Sequence, residues 1–421
     1  MNPRRPTSLL LLLLAGCATT ARPHGPIYDK GATITLVESA PVETTLDHPD
    51  IPNADVVWLE MVKSAVKSLD VAQFYVSDEG TTRLTPIIAA VREAAGRGVR
   101  VRFLIDDSFS KKYPETLAQL TGVKGLELRK LIAQKRMGGI QHAKYFVVDR
   151  REAYLGSQNF DWRSLEHVQE IGVRLRSKEL AEQLLDVFDT DWELAGGAPD
   201  NFRIVRHPGV SPVQLENGDQ VLFVASPRKW LPKEEQWELP QILKLLDGAK
   251  REIAVQVLTF KTTTYDGSTF LALDQALRRA VARGVRVRLL VSDWSNKKNS
   301  GARKSITELA LAGVEVKVIT IPKWSGGDIP FARVCHSKFM VVDGARSWIG
   351  TSNWDGDYFL KSRNVGVVVG SAPFTERLAG VLDDAWNSAY SKAPEPMGSD
   401  EPVTDAPKPK TNAKTNDDAK Y

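Results

Sequence analysis

Cysteine is almost missing: the 421 residues contain two, Cys17 and Cys335. Histidine is scarce as well, with six copies, and the formal net charge is only +4. No apolar run is long enough to span a membrane as a mature helix. These shortages exclude a disulfide-stapled scaffold, a Cys/His metal cluster and a multi-span membrane protein. The weak charge gives little support to a long, charge-driven nucleic-acid track, though it leaves room for gripping one phosphate locally. What remains, 42% apolar and 26% charged residues, is the balance of a soluble globular protein with one large core or two ordinary ones. With no disulfide, its stability must come from core packing.

The longest apolar run opens the chain. "MNPRRPTSLLLLLLAGC" places Arg4 and Arg5 before Leu9 to Leu14, as a signal peptide does. Its end, "LAGC", resembles the bacterial lipobox, which implies cleavage after residue 16 and lipidation of Cys17. Removal of residues 1–16 leaves 54 basic against 52 acidic residues, a net +2. Ala18 rather than Asp follows the cysteine, which by resemblance to lipoprotein sorting favours the outer membrane. The expected setting is therefore the bacterial cell envelope, lipid-anchored and facing the periplasm. Residues 17–32 read as a tether. From Ala393 to Tyr421 the chain is Pro-rich and charged, with almost no large apolar residues, and is expected to be a disordered tail without chemistry.

Between these ends the sequence repeats itself. Gln141 to Asp161 reads "QHAKYFVVDRREAYLGSQNFD", and Cys335 to Asp355 reads "CHSKFMVVDGARSWIGTSNWD". His142/His336, Lys144/Lys338, Asp149/Asp343, Gly156/Gly350 and Asn159/Asn353 match at a constant separation of 194 residues. Further forward the separation is 186: "RGVRVR" occurs at Arg97–Arg102 and at Arg283–Arg288, each time after a helical pattern that ends in Gly. The second half thus carries eight extra residues, in a region that includes "PKWSGGDIPFARV", Pro322 to Val334. Alternation at Val99, Val101 and Phe103 predicts a strand. Strands and helices taking turns at this spacing predict an α/β fold. Its expected form is two half-domains, 33–205 and 218–392, each a mixed sheet flanked by helices. The halves would be related by a pseudo-two-fold axis and share one site at their interface. Trp192 and Trp386 are expected to pack in the helices that close each half.

The repeated residues suit one chemistry. Two residues apart on a strand, His142 and Lys144 would project from the same face. Asp149 and Asp343 would point away and support the turn. The "GSQN" and "GTSN" turns would bring Asn159 and Asn353 back beside the His-Lys pairs. Two lysines in one pocket repel unless an anion lies between them, and Lys and Asn donors suit phosphate oxygens. Two imidazoles near neutral pH can divide the work: one attacks phosphorus while the other protonates the leaving oxygen. No metal-ligand spacing is present, so no cofactor and no metal is expected. Twenty-eight residues past each motif histidine stand Glu170 and Asn364. A carboxylate behind an imidazole fixes its tautomer, so Glu170 is a candidate to orient His142 or its partner.

At these positions the sequence resembles the phospholipase D superfamily, whose signature is His-x-Lys-x4-Asp followed by Gly-Ser-x-Asn. "RGVRVRLLVSDW", "IPFARVCHSKFMVVD" and "IGTSNWDGDYF" are similar to the animal lysosomal phospholipase-D-like exonucleases and to related poxvirus envelope proteins. The resemblance implies a metal-free phosphodiesterase with a phosphohistidine intermediate. His142 would be its nucleophile and His336 its acid/base, with Lys144, Lys338, Asn159 and Asn353 holding the phosphate. For the nearest relatives it implies cleavage from the 5′ end of single-stranded nucleic acid, or phospholipid transfer. Three functions compete: an envelope nuclease, a phospholipase D or transphosphatidylase (cardiolipin-synthase-like) on the membrane that holds the anchor, and a binding protein with a relict site. Two intact motifs oppose the third. Expected partners are a phosphodiester substrate and the membrane, with no obligate protein partner evident. Trp324 and Phe331, in the inserted run, are candidates to enter lipid or to stack on a base.

Overall fold

The alternation that predicted a strand becomes Arg100–Asp106 in a computed structural model, which describes residues 27–206 and 210–395. Val101, Phe103 and Ile105 face an outer core, while Leu104 faces a second core between the halves. Before this strand the helix Thr85–Gly96 has Pro86 in its first turn, where a missing N–H costs nothing. It buries Ile87, Ile88, Val91, Ala94 and Ala95. Gly98, at φ 91°, reverses the chain in a left-handed conformation that a side chain would resist. The second half repeats the device with the helix Ala272–Ala282 and Gly284 at φ 81°.

Both halves are sheets with the same strand order. The first runs Thr33–Ser39, Glu170–Arg176, Glu152–Gly156, Tyr145–Val148, Ser68–Ala72, Arg100–Asp106 and Leu126–Leu131. The last three are parallel to one another and the remaining pairs are antiparallel. The second runs Gln220–Ser226, Asn364–Gly370, Arg346–Gly350, Phe339–Val342, Glu252–Val257, Arg286–Ser292 and Glu315–Ile319. Ile27–Tyr28 and Val213–Gln214 extend it at one edge and Ser391–Lys392 at the other. The expected α/β pair of mixed sheets flanked by helices is the architecture observed.

The two long helices Lys178–Ala195 and Ala372–Asn387 start on equivalent serines. Ser177 Oγ accepts from the Leu180 N–H at 3.1 Å, and Ser371 Oγ from the Phe374 N–H at 3.3 Å. Leu180, Leu184 and Phe188 from one helix join Leu378, Val381 and Leu382 from the other in the core between the sheets. Trp192 and Trp386 are buried there as packing residues. The guanidinium carbons of Arg102 and Arg129 lie 5.3 and 4.4 Å from the Trp192 ring. Burial of one such leucine is worth about 1.5–3 kcal/mol, so this shared core binds the halves strongly.

Three local expectations change. His142 and Lys144 precede the strand Tyr145–Val148 instead of lying in it, and His336 and Lys338 precede Phe339–Val342 in the same way. Asp149 follows its strand at φ 51° and does not tie the turn before Gly156. Its carboxylate accepts from the backbone N–H groups of Val66, Lys67 and Ser68. Asp343 likewise accepts from Lys250, Arg251 and Glu252. The last part of the expected tether forms the strand Ile27–Tyr28 on the second sheet. The inserted run can now be placed: Arg102 faces Glu127 but Arg288 faces Glu315, so two of the eight extra residues precede Glu315–Ile319 and six follow it. Residues 1–16, Cys17, His24, His207 and the tail from residue 396 lie outside the described residues. No helix among the described residues is long and apolar enough to cross a membrane.

Candidate active site

Each motif histidine is fastened by its backbone to the opposite half. The His142 N–H donates to Arg363 O at 3.0 Å, and the Arg363 N–H returns to Ile140 O at 2.9 Å. The His336 N–H donates to Gln169 O at 2.9 Å, and the Gln169 N–H returns to Val334 O at 3.0 Å. Those bonds take the place of a ladder with a neighbouring strand, which is why neither His-Lys pair sits within its sheet.

The side chains cross the interface too. His336 Nδ1 lies 2.9 Å from Glu170 Oε2, while the other Glu170 oxygen accepts from Ser164 Oγ at 3.0 Å. Glu170 therefore serves His336 and not His142. The equivalent partner of His142 is Asn364, whose Oδ1 lies 3.1 Å from His142 Nδ1. Asn364 Nδ2 donates to Tyr358 O at 2.8 Å, which fixes Oδ1 as the acceptor. Both imidazoles thus carry their proton on Nδ1 and keep Nε2 for the cleft. The His142 ring is wedged edge-on between Phe74 and Tyr358, with centroids at 5.3 and 4.8 Å.

His142, His336, Asn159 and Asn353 line one cleft. The Oδ1 atoms of both asparagines are buried with no hydrogen-bond partner among the described residues, acceptors that only a donor group can satisfy, while the Nδ2 groups are the atoms able to donate to phosphate oxygens. Lys144 and Lys338 do not line the cleft; both are fully buried, each Nζ donating to the carbonyl of its own motif histidine. Asp149 and Asp343 are absent from the cleft lining.

Burial dominates the electrostatics. It pushes His142 well below the ordinary histidine value, with help from Lys144 and Lys338. It pushes His336 down to about 4, opposed by Glu170. It lowers Lys144 strongly, and Lys338 to about 7 against the pull of Glu170. Burial pushes Glu170 up, yet His336 and Lys338 outweigh it and hold the carboxyl below its ordinary value. The cleft's own side chains leave it short of negative charge, which a phosphate between the histidines would supply. The donor set, two lysines and two imidazoles with a carboxylate already committed to one of them, favours an anion over a metal cation.

Sequence reasoning named Phe331 but missed the rest of the wall of the cleft. Phe74, Tyr75, Phe109, Lys112, Tyr113 and Arg163 from the first half line it, with Tyr358 and Phe331 from the second. The available signal was position: residues 73–75 and 107–113 follow the carboxyl ends of parallel strands, where open α/β sheets place ligands. Trp324 is directed elsewhere, packed 5.0 Å from the His167 ring.

A family model described as the cardiolipin synthase, phospholipase-D-like domain matches residues 58–192 and 242–386, one copy per half. The chain belongs to the phospholipase D superfamily. Among its relatives, human 5′-3′ exonuclease PLD3 is 31% identical over 403 residues, covering 87% of this chain and 81% of that one. Phospholipase D Z of Dictyostelium discoideum is 28% identical over 416 residues, covering 91% and 97%. The solved phosphatidylserine synthase of Haemophilus influenzae Rd KW20 superposes with TM-score 0.59 over 80% of this chain and 84% of that one; at 11% identity this speaks for the fold alone. This phospholipase D superfamily member is a phosphodiesterase.

Proposed function

We propose that the protein removes nucleotides from the 5′ end of single-stranded nucleic acid, without a metal, through a phosphohistidine on His142. The observation that carries the division of labour is the difference behind the two rings. Asn364 offers His142 a neutral acceptor, so that ring stays a neutral nucleophile. Glu170 offers His336 a charge that favours the imidazolium once an anionic phosphate adds its own. His142 Nε2 attacks phosphorus as the P–O bond to the leaving group breaks, and the leaving oxygen takes the proton from His336 Nε2. Water then gives a proton back to His336 and bonds to phosphorus as the P–N bond breaks, which restores both rings. Lys144, Lys338, Asn159 and Asn353 balance the equatorial oxygens.

For the substrate class, the relatives named as exonucleases support nucleic acid. So does the wall: its aliphatic residues Val168, Leu258 and Val334 are each at most 4% exposed, so they offer no groove for acyl chains. The second reading is a phospholipase D acting on lipid headgroups, favoured by the name of the Dictyostelium relative. Attachment through a lipidated Cys17, facing the periplasm, completes the proposal. The test offers purified protein a 5′-hydroxyl single-stranded oligonucleotide and phosphatidylglycerol side by side, with EDTA present. We expect mononucleotides, lost in both His142→Ala and His336→Ala. Headgroup release alone selects the second reading, and activity dependent on added metal refutes the metal-free route. In the same preparation, a mature N-terminus other than acylated Cys17 refutes the anchor.

A further inference from the structure

Two lips of the cleft break the pseudo-two-fold symmetry. One is the first-half loop that carries Lys112 and Tyr113; the other is the inserted second-half run that carries Phe331. A single buried side chain pins both. Arg163 donates through Nη2 to Tyr113 Oη at 2.9 Å and through Nη1 to Pro330 O at 3.1 Å. Asp161 holds that guanidinium at 2.8 Å and also accepts from Tyr75 Oη at 2.7 Å. Tyr75 in turn stacks on Tyr113, centroids 5.3 Å apart. The first lip is therefore a fixed aromatic face.

The second lip is held under strain. Phe331 has φ 62° and Arg333 φ 55°, left-handed values that side chains resist. The segment stays there because Pro330 O is bound by Arg163 and the Arg333 N–H by His167 O at 3.0 Å. The outcome is a phenyl ring 56% exposed beside the reacting groups. Strain that keeps an apolar ring in water gains nothing for the fold, and it suits a ring that something else will cover.

We propose that Phe331 and Tyr113 form a stacking subsite for the nucleobase next to the scissile phosphate, a deepening that rests on the nucleic-acid reading. A base is flat, sequence-tolerant in stacking, and carries a phosphate at the distance of one sugar, which fits aromatic lips beside a phosphate pocket. Lys112, exposed on the first lip, supplies positive charge for the following phosphate.

The experiment compares kcat/KM on a single-stranded oligonucleotide with kcat/KM on the same strand lacking its 5′-terminal base. On the intact strand Phe331→Ala is expected to lose about tenfold or more, mostly through KM, while Phe331→Trp keeps activity. On the abasic strand wild type and Phe331→Ala should be equal. Phe331→Gly removes ring and strain together, so its melting temperature should equal or exceed that of wild type while it shares the alanine defect. Equal losses on both strands, or none on either, overturn the subsite. Wild type inactive on any oligonucleotide overturns the nucleic-acid reading and the subsite with it; wild type active but indifferent to Phe331 overturns the subsite alone.

Discussion

Glu170 and Asn364 stand at equivalent positions, and one charge separates them. That charge sets the pH behaviour. In the proposed mechanism, kcat/KM of the free enzyme requires His336 protonated and His142 neutral. Burial holds His336 at about 4 and keeps His142 low as well. Activity as kcat/KM should therefore be greatest in acid and fall as pH rises above about 4. Glu170→Gln removes the group that pulls His336 upward, so the falling limb moves to still lower pH. At fixed neutral pH the rate drops about 10²–10⁴-fold, the share of a general acid. A pH-rate profile of unchanged shape, merely scaled down, would make Glu170 a structural prop. Conservative change at this residue is thus a sharper probe than loss of either histidine.

At the scale of elements, the carboxylates after the motif strands are anchors for loops. Asp149 gathers three backbone N–H groups ahead of the strand Ser68–Ala72. Asp343 does the same ahead of Glu252–Val257. Burial pushes Asp343 up, but the backbone donors outweigh it and hold the carboxyl low. Asp149→Ala should cost about 1.5–3 kcal/mol in urea unfolding, the worth of hydrogen bonds to a charged group, while kcat of the folded enzyme stays within a few fold. Normal stability with lost turnover would place Asp149 in the chemistry instead. Sequence showed that these aspartates were supports, because their spacing turned them away from the histidines. It could not show what they support, since the tied loops lie 81 to 83 and 91 to 93 residues away. The histidine segments were misplaced into strands for a related reason. Their pattern is extended, but their backbone groups are spent on the other half, a partner that periodicity cannot name.

At the scale of the molecule, neither half holds the whole candidate site, since each histidine takes its Nδ1 partner from the other. The duplication was legible because the same chemistry recurs at one offset, but the joints that hold the copies together have no repeat to announce them. Arg363, fully buried, pairs with Asp191 at 2.7 and 2.8 Å across the interface, where the residue equivalent to Asp191 is Ala385. His48 forms a second joint: Nδ1 meets Glu38 at 2.7 Å and Nε2 meets Asp384, on the opposite half, at 3.2 Å. Arg377, bound to Asp50 at 2.6 Å, closes the cluster and opposes the two carboxylates. The hydrogen bond that His48 donates to Glu38 raises its pKa despite burial. A histidine raised on folding gives its full stabilisation below the unfolded value of about 6.5 and loses it as pH climbs through the folded value. His142 and His336, lowered on folding, act with the opposite sign and cost stability as pH drops below about 6.5. The His48 share of stability should therefore be full below about pH 6.5 and decline above it, by at most about 1.4 kcal/mol per pH unit for one proton, against an opposing rise above about pH 7 from Lys338 and Lys144, which folding also lowers. His48→Gln should therefore cost most below about pH 6.5, with the gap from wild type closing as pH rises. Urea midpoints measured from pH 5 to pH 9 on both proteins check this: parallel curves would mean that His48 carries no charge in the joint, and that the halves are held by their shared apolar core and the Arg363–Asp191 pair.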